Sequence, residues 1–483
     1  MNNKNYANII FTHSGIRGIV DKSFTKKFIE DIGFAFRKWL NKSHVDIIIG
    51  RDTRPSSNYI QEHIIKGLGV YETTVLNANI CPTPVLIHAK RQLNLPAGII
   101  ITGSHNSPQW NGLKLLNSEN YLNGKQINEI RTILESIHEK RAFEQDYKPK
   151  VIIKEINPLP NYIEKLITNL NINPINKQND LRIVVDPGAG AAKDVTPRIL
   201  QKIGCDVKVI NDDLLVGKNF PRKIEPIREN LKDLIMEVWQ NKYDLGFAHD
   251  SDGDRLAIVN EKGEVYPEDV GLALIMKHFL ETIGKEKEEI YFVTNIASSL
   301  MFDIIAKKYN VQIIRTPIGE YYLTDKIRRL MIEKQKNNVD CLIFGGEGSC
   351  GGIIFPYFNN TRDGIFAAAK IVEIVLETGQ KISTLASRLP RYYSYREIVE
   401  LNSKKIKDII TNLKLELMEE GENVTQIEND LKFGEGKEWF VLIHPSNTEP
   451  LIRVISEAKS ESLARIYCET TAELVRMIIN ESI

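Results

Sequence analysis

Cysteine is scarce in this chain of 483 residues: there are five, Cys81, Cys205, Cys341, Cys350 and Cys468, odd in number, scattered, and never in a Cys-x-x-Cys pair. That argues for reduced thiols, mostly filling cores. Cys350 alone stands in a glycine-rich stretch, with nothing beside it that marks a nucleophile. Net charge is absent too. Lys plus Arg and Asp plus Glu both number 63, so no global field draws the chain toward nucleic acid or anionic lipid. Nor does any apolar run approach the roughly 18 residues of a membrane span. The leading Met-Asn-Asn-Lys-Asn-Tyr has no apolar run behind it, and the expectation is a cytoplasmic protein without nucleic-acid or membrane partners.

What is present is a hydrophobic content of 42%, enough for three or four compact units. An apolar strand, a loop, a helix and a second strand recur three times. Val45 to Ile49 leads through Arg51-Asp52-Thr53-Arg54-Pro55 to a helix near Asn58 to Leu68 and a strand at Thr73 to Leu76. Arg182 to Val185 leads through Asp186-Pro187-Gly188-Ala189-Gly190 to a helix ending near Ile203, then Val207 to Ile210. Tyr291 to Thr294 precedes a helix over Ser299 to Tyr309 and a strand at Val311 to Arg315. Such units predict three similar α/β domains with mixed, mainly parallel sheets. After about Leu385 the pattern changes to a smaller α+β unit, with strands at Tyr392 to Glu400 and Trp439 to Ile443, helical spacing over the charged stretch Asn402 to Lys432, and a closing helix over Ser460 to Ile479. Proline, glycine and charge punctuation place the domains at 1–155, 156–262, 263–387 and 388–483.

Four loops carry chemistry. Thr102-Gly103-Ser104-His105-Asn106-Ser107-Pro108 follows the apolar strand Ala97 to Ile101, so a hydroxyl stands at a strand's carboxyl end, where α/β sheets bind ligands; alone, it reads as a capped turn. Asp250-Ser251-Asp252-Gly253-Asp254-Arg255 offers three hard oxygen ligands at alternate positions to a divalent cation, with magnesium the natural ion beside phosphate. An EF-hand would put Asp250, Asp252, Asp254 and Glu261 in ligand places, but Arg255 occupies its required glycine and the flanks read as strands. Phe344-Gly345-Gly346-Glu347-Gly348-Ser349-Cys350-Gly351-Gly352 lets backbone approach a ligand, with Glu347 and Ser349 able to bond vicinal sugar hydroxyls. Ser446, Asn447, Thr448 and Arg453 could surround a phosphate dianion. Arg17, Arg51, Arg54 and Lys114, taken singly, read as surface cations. Together these are the parts needed to transfer phosphate on a sugar.

These loops resemble, in order and spacing, the four signatures of the α-D-phosphohexomutases, and the resemblance spans nearly the whole chain. Gly15-Ile16-Arg17-Gly18, Gly50-Arg51-Asp52-Thr53-Arg54, Asn111-Gly112-Leu113-Lys114 and Thr316-Pro317-Ile318-Gly319 match further family elements. Cys350-Gly351 stands where the family's sugar loop often has Gly-His, and His444 stands where an arginine is frequent. In this loop the chain is most similar to archaeal-type phosphoglucosamine mutases and their bacterial relatives.

The resemblance implies four domains around a central cleft and an isomerase that interconverts hexose 1- and 6-phosphates through phosphorylated Ser104 and a hexose 1,6-bisphosphate. By the same resemblance that bisphosphate would also serve as activator. It implies magnesium on Asp250, Asp252, Asp254 and a phosphoserine oxygen of Ser104, with Lys114, His105 and Arg17 for proton transfer and positioning, Lys114 first. Arg255, Thr316, Gly319, Glu347 and Ser349 would bind substrate, and Ser446, Asn447, Thr448 and Arg453 its second phosphate. Glucosamine phosphate is the expected substrate, glucose and mannose phosphates the alternative. A phosphatase acting through Ser104 and an inactive sugar-phosphate sensor are more distant readings.

Overall fold

Val45 to Ile49 lies on an interior strand of a mixed sheet. The computed structural model describes residues 9–12, 15–137, 150–172, 180–348, 351–401, 406–446 and 450–481. Its first seven strands are β1 (Ile10–Thr12), β2 (Gly15–Ile19), β3 (His44–Arg51), β4 (Glu72–Ile80), β5 (Ala97–Ile101), β6 (Trp110–Leu116) and β7 (Val151–Glu155). They lie in the order β1-β2-β6-β5-β3-β4-β7. The β3, β4, β5 and β7 pairings are parallel, as βαβ crossovers require, whereas β6 runs antiparallel to β5 and β2. Alternate residues Ile47, Ile49, Ile99 and Ile101 point into one core with Phe28, Ile32, Ile60 and Ile130 of the helices Lys26–Trp39, Ser57–Leu68 and Gly124–Ile137. Each side chain so buried contributes about 1.5–3 kcal/mol relative to exposure.

The second sheet holds β8 (Arg182–Asp186), β9 (Asp206–Val209), β10 (Leu245–Ala248) and β11 (Ala257–Asn260) in the order β11-β10-β8-β9. Only β11 is antiparallel, so residues 249–256 form the tip of a hairpin. The third group begins with three parallel strands, β12 (Glu289–Asn295) flanked by β13 (Gln312–Thr316) and β14 (Cys341–Gly346). After them, β15 (Ile353–Phe355) and β16 (Asn359–Asp363) pair antiparallel and lead into the helix Gly364–Thr378. Asp363 caps that helix by accepting the Phe366 amide.

The last sheet is wholly antiparallel: β17 (Tyr393–Glu400), β18 (Thr425–Ile427), β19 (Asp430–Glu435), β20 (Trp439–Pro445) and β21 (Leu451–Ala458), in the order β17-β21-β20-β19-β18. The helices Ile406–Glu419 and Glu461–Glu481 cover one face. The expected helical stretch Asn402 to Lys432 is thus corrected: helix stops at Glu419, and a hairpin of β18 and β19 follows. Gly421, at φ +91°, ends the helix, and Glu428, at φ +55°, turns the hairpin, conformations a helix cannot contain.

The chain divides into two compact units, Met1–Ile275 with Cys350–Leu385 and Met276–Ser349 with Ala386–Ile483. Among the described residues no helix is long and apolar enough to cross a membrane.

Candidate active site

Two hairpin tips meet in the first unit. The turn from β5 to β6 carries Ser104, and the turn from β10 to β11 carries the three aspartates. Ser104 sits at φ +47°, left-handed backbone for a residue with a side chain, a conformation that persists only where the surroundings enforce it. Here the enforcement is visible. Its amide donates to Thr102 Oγ1 at 2.8 Å, and its carbonyl accepts from Arg54 Nη2 at 2.6 Å and Ser251 Oγ at 2.8 Å. The residue is 2% exposed, and its hydroxyl donates to Asp250 Oδ2 at 2.9 Å.

Beneath the serine turn lies a clamp. Arg54 donates to the carbonyls of Ser104, Asn106, Ser107 and Trp110, and its Nε pairs with Asp52 Oδ2 at 3.0 Å. Asp52 also accepts from the hydroxyls of Ser57, Thr102 and Ser251. The reading of Arg54 as a surface cation is corrected: four converging carbonyls and a buried carboxylate satisfy the charge that burial would otherwise penalise.

Asp250, Asp252 and Asp254 are all buried, and one oxygen from each lies within 4.8 Å of the others. Lys114, Arg362 and Arg255 face them. Lys114, which also reads as a surface cation by residue type alone, is instead buried, with Nζ 2.7 Å from Asp252 Oδ2 and 2.9 Å from Asp254 Oδ2. Arg362 Nη2 reaches Asp254 Oδ2 at 2.8 Å, and Arg255 Nε lies 3.9 Å from Asp250 Oδ2. Thr83 Oγ1 donates to Asp252 Oδ2 at 2.5 Å. Burial, then the neighbouring Asp252 and Asp254, pushes the Asp250 carboxyl well above its usual range. Burial also opposes ionisation of Asp254, but Arg362, Lys114 and Arg255 overcome it and hold that carboxyl below its usual range. The donor set suits a hard divalent cation, because Asp252 Oδ1 and Asp254 Oδ1 are buried without a hydrogen-bond partner.

His105 Nδ1 lies 3.4 Å from Ser104 Oγ and 2.9 Å from Arg255 Nη2. Arg255 foremost, then burial and Arg17, depress its pKa well below that of a free imidazole. It is therefore a neutral acceptor of the Arg255 proton at neutral pH. Arg255 Nη1 pairs with Glu225 at 3.2 Å. Arg17 donates to Asn106 Oδ1, and burial, against the attraction of Asp252, lowers its guanidinium to about 10.

In the second unit, Glu347 is buried and accepts from Asn295 Nδ2 at 2.9 Å and the Gly319 amide at 3.2 Å. Gly319 has φ +132°, open to glycine almost alone. Thr316 Oγ1 donates to the Pro317 carbonyl at 3.0 Å. Ser446 follows β20 and Arg453 lies on β21, and the Ser446 amide donates to the Leu451 carbonyl at 2.9 Å. His444 Nδ1 lies 2.6 Å from Asp430 Oδ1. Ser349, Cys350, Asn447 and Thr448 lie outside the described residues.

The fold thus gathers Ser104, His105, Lys114, Arg17, Arg255 and the three aspartates in one unit, and Gly319 with Glu347 in the other. Sequence reasoning missed Arg362 and Thr83, which stand 108 and 169 positions from the aspartates they touch; no spacing rule links them.

Family models described as phosphoglucomutase/phosphomannomutase alpha/beta/alpha domains I, II and III match residues 8–141, 160–263 and 267–393. A protein of Pyrococcus abyssi named "Probable phosphoglucosamine mutase" is 31% identical over 481 residues, covering 98% of this chain and 99% of that one. A phosphoglucomutase/phosphomannomutase of Thermococcus kodakarensis is 32% identical over 477 residues, 96% of this chain and 98% of its own. Among solved structures, a phosphoglucomutase/phosphomannomutase family protein from Burkholderia thailandensis shares the fold, with a TM-score of 0.79 at 23% identity over 97% of both chains. With three consecutive domain models and full-length relatives above 30% identity in agreement, the chain belongs to the phosphoglucomutase/phosphomannomutase family and is a phosphohexomutase, an isomerase of the intramolecular phosphotransferase kind.

Proposed function

We propose that this phosphohexomutase interconverts hexose 1-phosphate and hexose 6-phosphate through phosphorylated Ser104 and a hexose 1,6-bisphosphate, with glucosamine phosphate as preferred substrate. One observation carries the reading: the Ser104 hydroxyl rests 2.9 Å from Asp250 beside two buried carboxylates that each keep an unpartnered oxygen. In the first step a sugar hydroxyl attacks the phosphoryl on Ser104. The new O–P bond forms as the Ser104 Oγ–P bond breaks, the hydroxyl proton leaves and Ser104 Oγ gains a proton. The bisphosphate turns over and returns its other phosphoryl to Ser104 by the reverse exchange.

Asp250, Asp252, Asp254 and a phosphoserine oxygen would hold magnesium, which supplies positive charge to offset that on the transferred group. Lys114, seated on Asp252 and Asp254, is the proposed acid/base; His105 and Arg17 position the serine turn. Arg255, anchored by Glu225 and His105, holds the transferred phosphoryl. Thr316, Gly319, Glu347 and Ser349 bind the sugar, and Ser446, Asn447, Thr448 and Arg453 hold the phosphate that is not moving. These groups fall on four domains, proposed at 1–155, 156–262, 263–387 and 388–483, and hexose 1,6-bisphosphate primes an unphosphorylated Ser104.

The glucosamine preference rests on the sugar-loop resemblance and on relatives named phosphoglucosamine mutase. A phosphoglucomutase/phosphomannomutase specificity is the second reading, favoured by the comparably similar Thermococcus protein. A coupled assay with magnesium and bisphosphate, run on glucosamine, glucose and mannose 1-phosphates, separates them by relative kcat/KM. Release of free phosphate in place of the isomer would mark a phosphatase, and binding without turnover a sensor.

A further inference from the structure

We propose that Arg362 is a positioning residue for the divalent cation: it holds Asp254 so that the carboxylate's second oxygen is presented to the ion. The inference rests on the cation site proposed above and adds to it a residue from outside the aspartate loop.

The carboxylates of Asp252 and Asp254 are used asymmetrically. On each, Oδ2 is saturated by the chain, Asp252 by Lys114 and Thr83, Asp254 by Lys114 and Arg362. On each, Oδ1 is buried without a hydrogen-bond partner. A carboxylate pinned through one oxygen cannot rotate to satisfy the other. Its unpartnered oxygen is therefore fixed in place for an incoming cation.

Arg362 itself is rigidly delivered. It lies at the end of β16, and its neighbour Asp363 caps the following helix and accepts the Tyr162 hydroxyl on both oxygens at 2.7 Å. The segment around it lies directly on the aspartate loop. A Cβ on Gly351 would stand 2.1 Å from the Leu256 carbonyl oxygen, one on Gly352 2.4 Å from that of Asp254, and one on Gly364 2.3 Å from that of Arg255. These three close backbone approaches leave no slack between this wall and the loop. Arg362 projects from the wall onto Asp254.

A second role makes the opposite prediction. Were Arg362 only a counter-charge for the aspartates, removing it would take a positive charge away from the cation and tighten binding. As a positioning residue, its loss frees Asp254 and weakens binding.

The test measures Mn2+ affinity of the purified full-length protein by calorimetry or by electron paramagnetic resonance, beside its metal-free melting midpoint. Arg362→Met should weaken Mn2+ binding about ten-fold or more, and Arg362→Lys, with charge kept but the planar fork lost, should recover part of it. Unchanged or tighter binding in Arg362→Met overturns the proposal. Should that variant fail to fold, Arg362→Lys decides, because affinity equal to that of the unaltered protein would show that the fork does not position Asp254. If the unaltered protein takes up no Mn2+, or Asp254→Asn takes it up equally well, the cation-site reading itself fails.

Discussion

At the scale of single residues, the serine turn shows how an unfavourable conformation is maintained. Ser104 occupies left-handed backbone that an L-residue with a side chain enters at a cost of about 1–3 kcal/mol, and the Asp52–Arg54 clamp overdetermines it. Arg54→Ala would remove the cation paired with the buried Asp52 and the donor shared by four carbonyls, so we expect a loss of about 3–5 kcal/mol of unfolding free energy, read by urea denaturation. Arg54→Lys should not restore it, since an ammonium cannot reach four carbonyls set around a planar fork. Equal stability of both variants and the unaltered protein would show the turn is held by other contacts. A relay serine also has a chemical signature. Freshly purified protein, or protein incubated with glucose 1,6-bisphosphate, should carry one phosphoryl group on the Ser104 peptide by mass spectrometry. A peptide never phosphorylated would end the relay reading.

At the scale of elements, the helices Thr83–Gln92 and Leu159–Thr168 and the turn before β16 meet at a small aromatic cluster. His88 lies edge-on to Tyr162 at 5.5 Å and against Phe358 at 5.1 Å, and Tyr162 donates to Asp363. Burial, with Arg91 and Lys165, lowers His88 to about 4, while burial raises Asp363 to about 6. The signs oppose. His88 favours the neutral form in the fold, so its contribution is complete above about pH 6.5 and is lost as pH falls toward 4. Asp363 favours its protonated form, so its contribution is complete near pH 4 and is lost as pH rises through 6. The unaltered protein should therefore hide both slopes. Relative to it, His88→Phe should gain about 2 kcal/mol between pH 7 and pH 4.5, and Asp363→Asn should lose stability over the same interval. Thermal unfolding across pH measures both, and parallel profiles for all three proteins would refute the pairing.

At the scale of the whole molecule, three carboxylates are offset by Lys114, Arg255 and Arg362 within the protein itself. Folding then does not wait on the metal. Chelation with EDTA should abolish turnover while moving the melting midpoint by less than about 2 °C; a large fall would mean the ion is part of the fold. The second unit carries the other expectation. A charge-assisted phosphate contact contributes about 1.5–3 kcal/mol, so Arg453→Ala should weaken binding of both glucose 1-phosphate and glucose 6-phosphate by about ten-fold or more. Calorimetry in a Ser104→Ala background isolates binding from chemistry, and unchanged affinity there would remove Arg453 from the phosphate site.

The sequence by itself determined what is local. Apolar runs marked β3, β8 and β12 within a few residues of their ends, because buried strands must be apolar along their length. The order of four polar loops identified the family, because their chemistry is written in adjacent residues. It did not end the helix Ile406–Glu419 correctly, since charged residues at helical spacing continue into the β18–β19 hairpin and only the backbone at Gly421 and Glu428 breaks the pattern. Nor did it separate buried cations from exposed ones. Lys114 and Arg54 look like surface residues until tertiary structure brings Asp252 and Asp254 against the first and the carbonyls of Ser104, Asn106, Ser107 and Trp110 around the second. Arg362 has no signal in sequence at all, because its partner is 108 positions away and a buried charge is stabilised by distance in space, which only the folded chain decides.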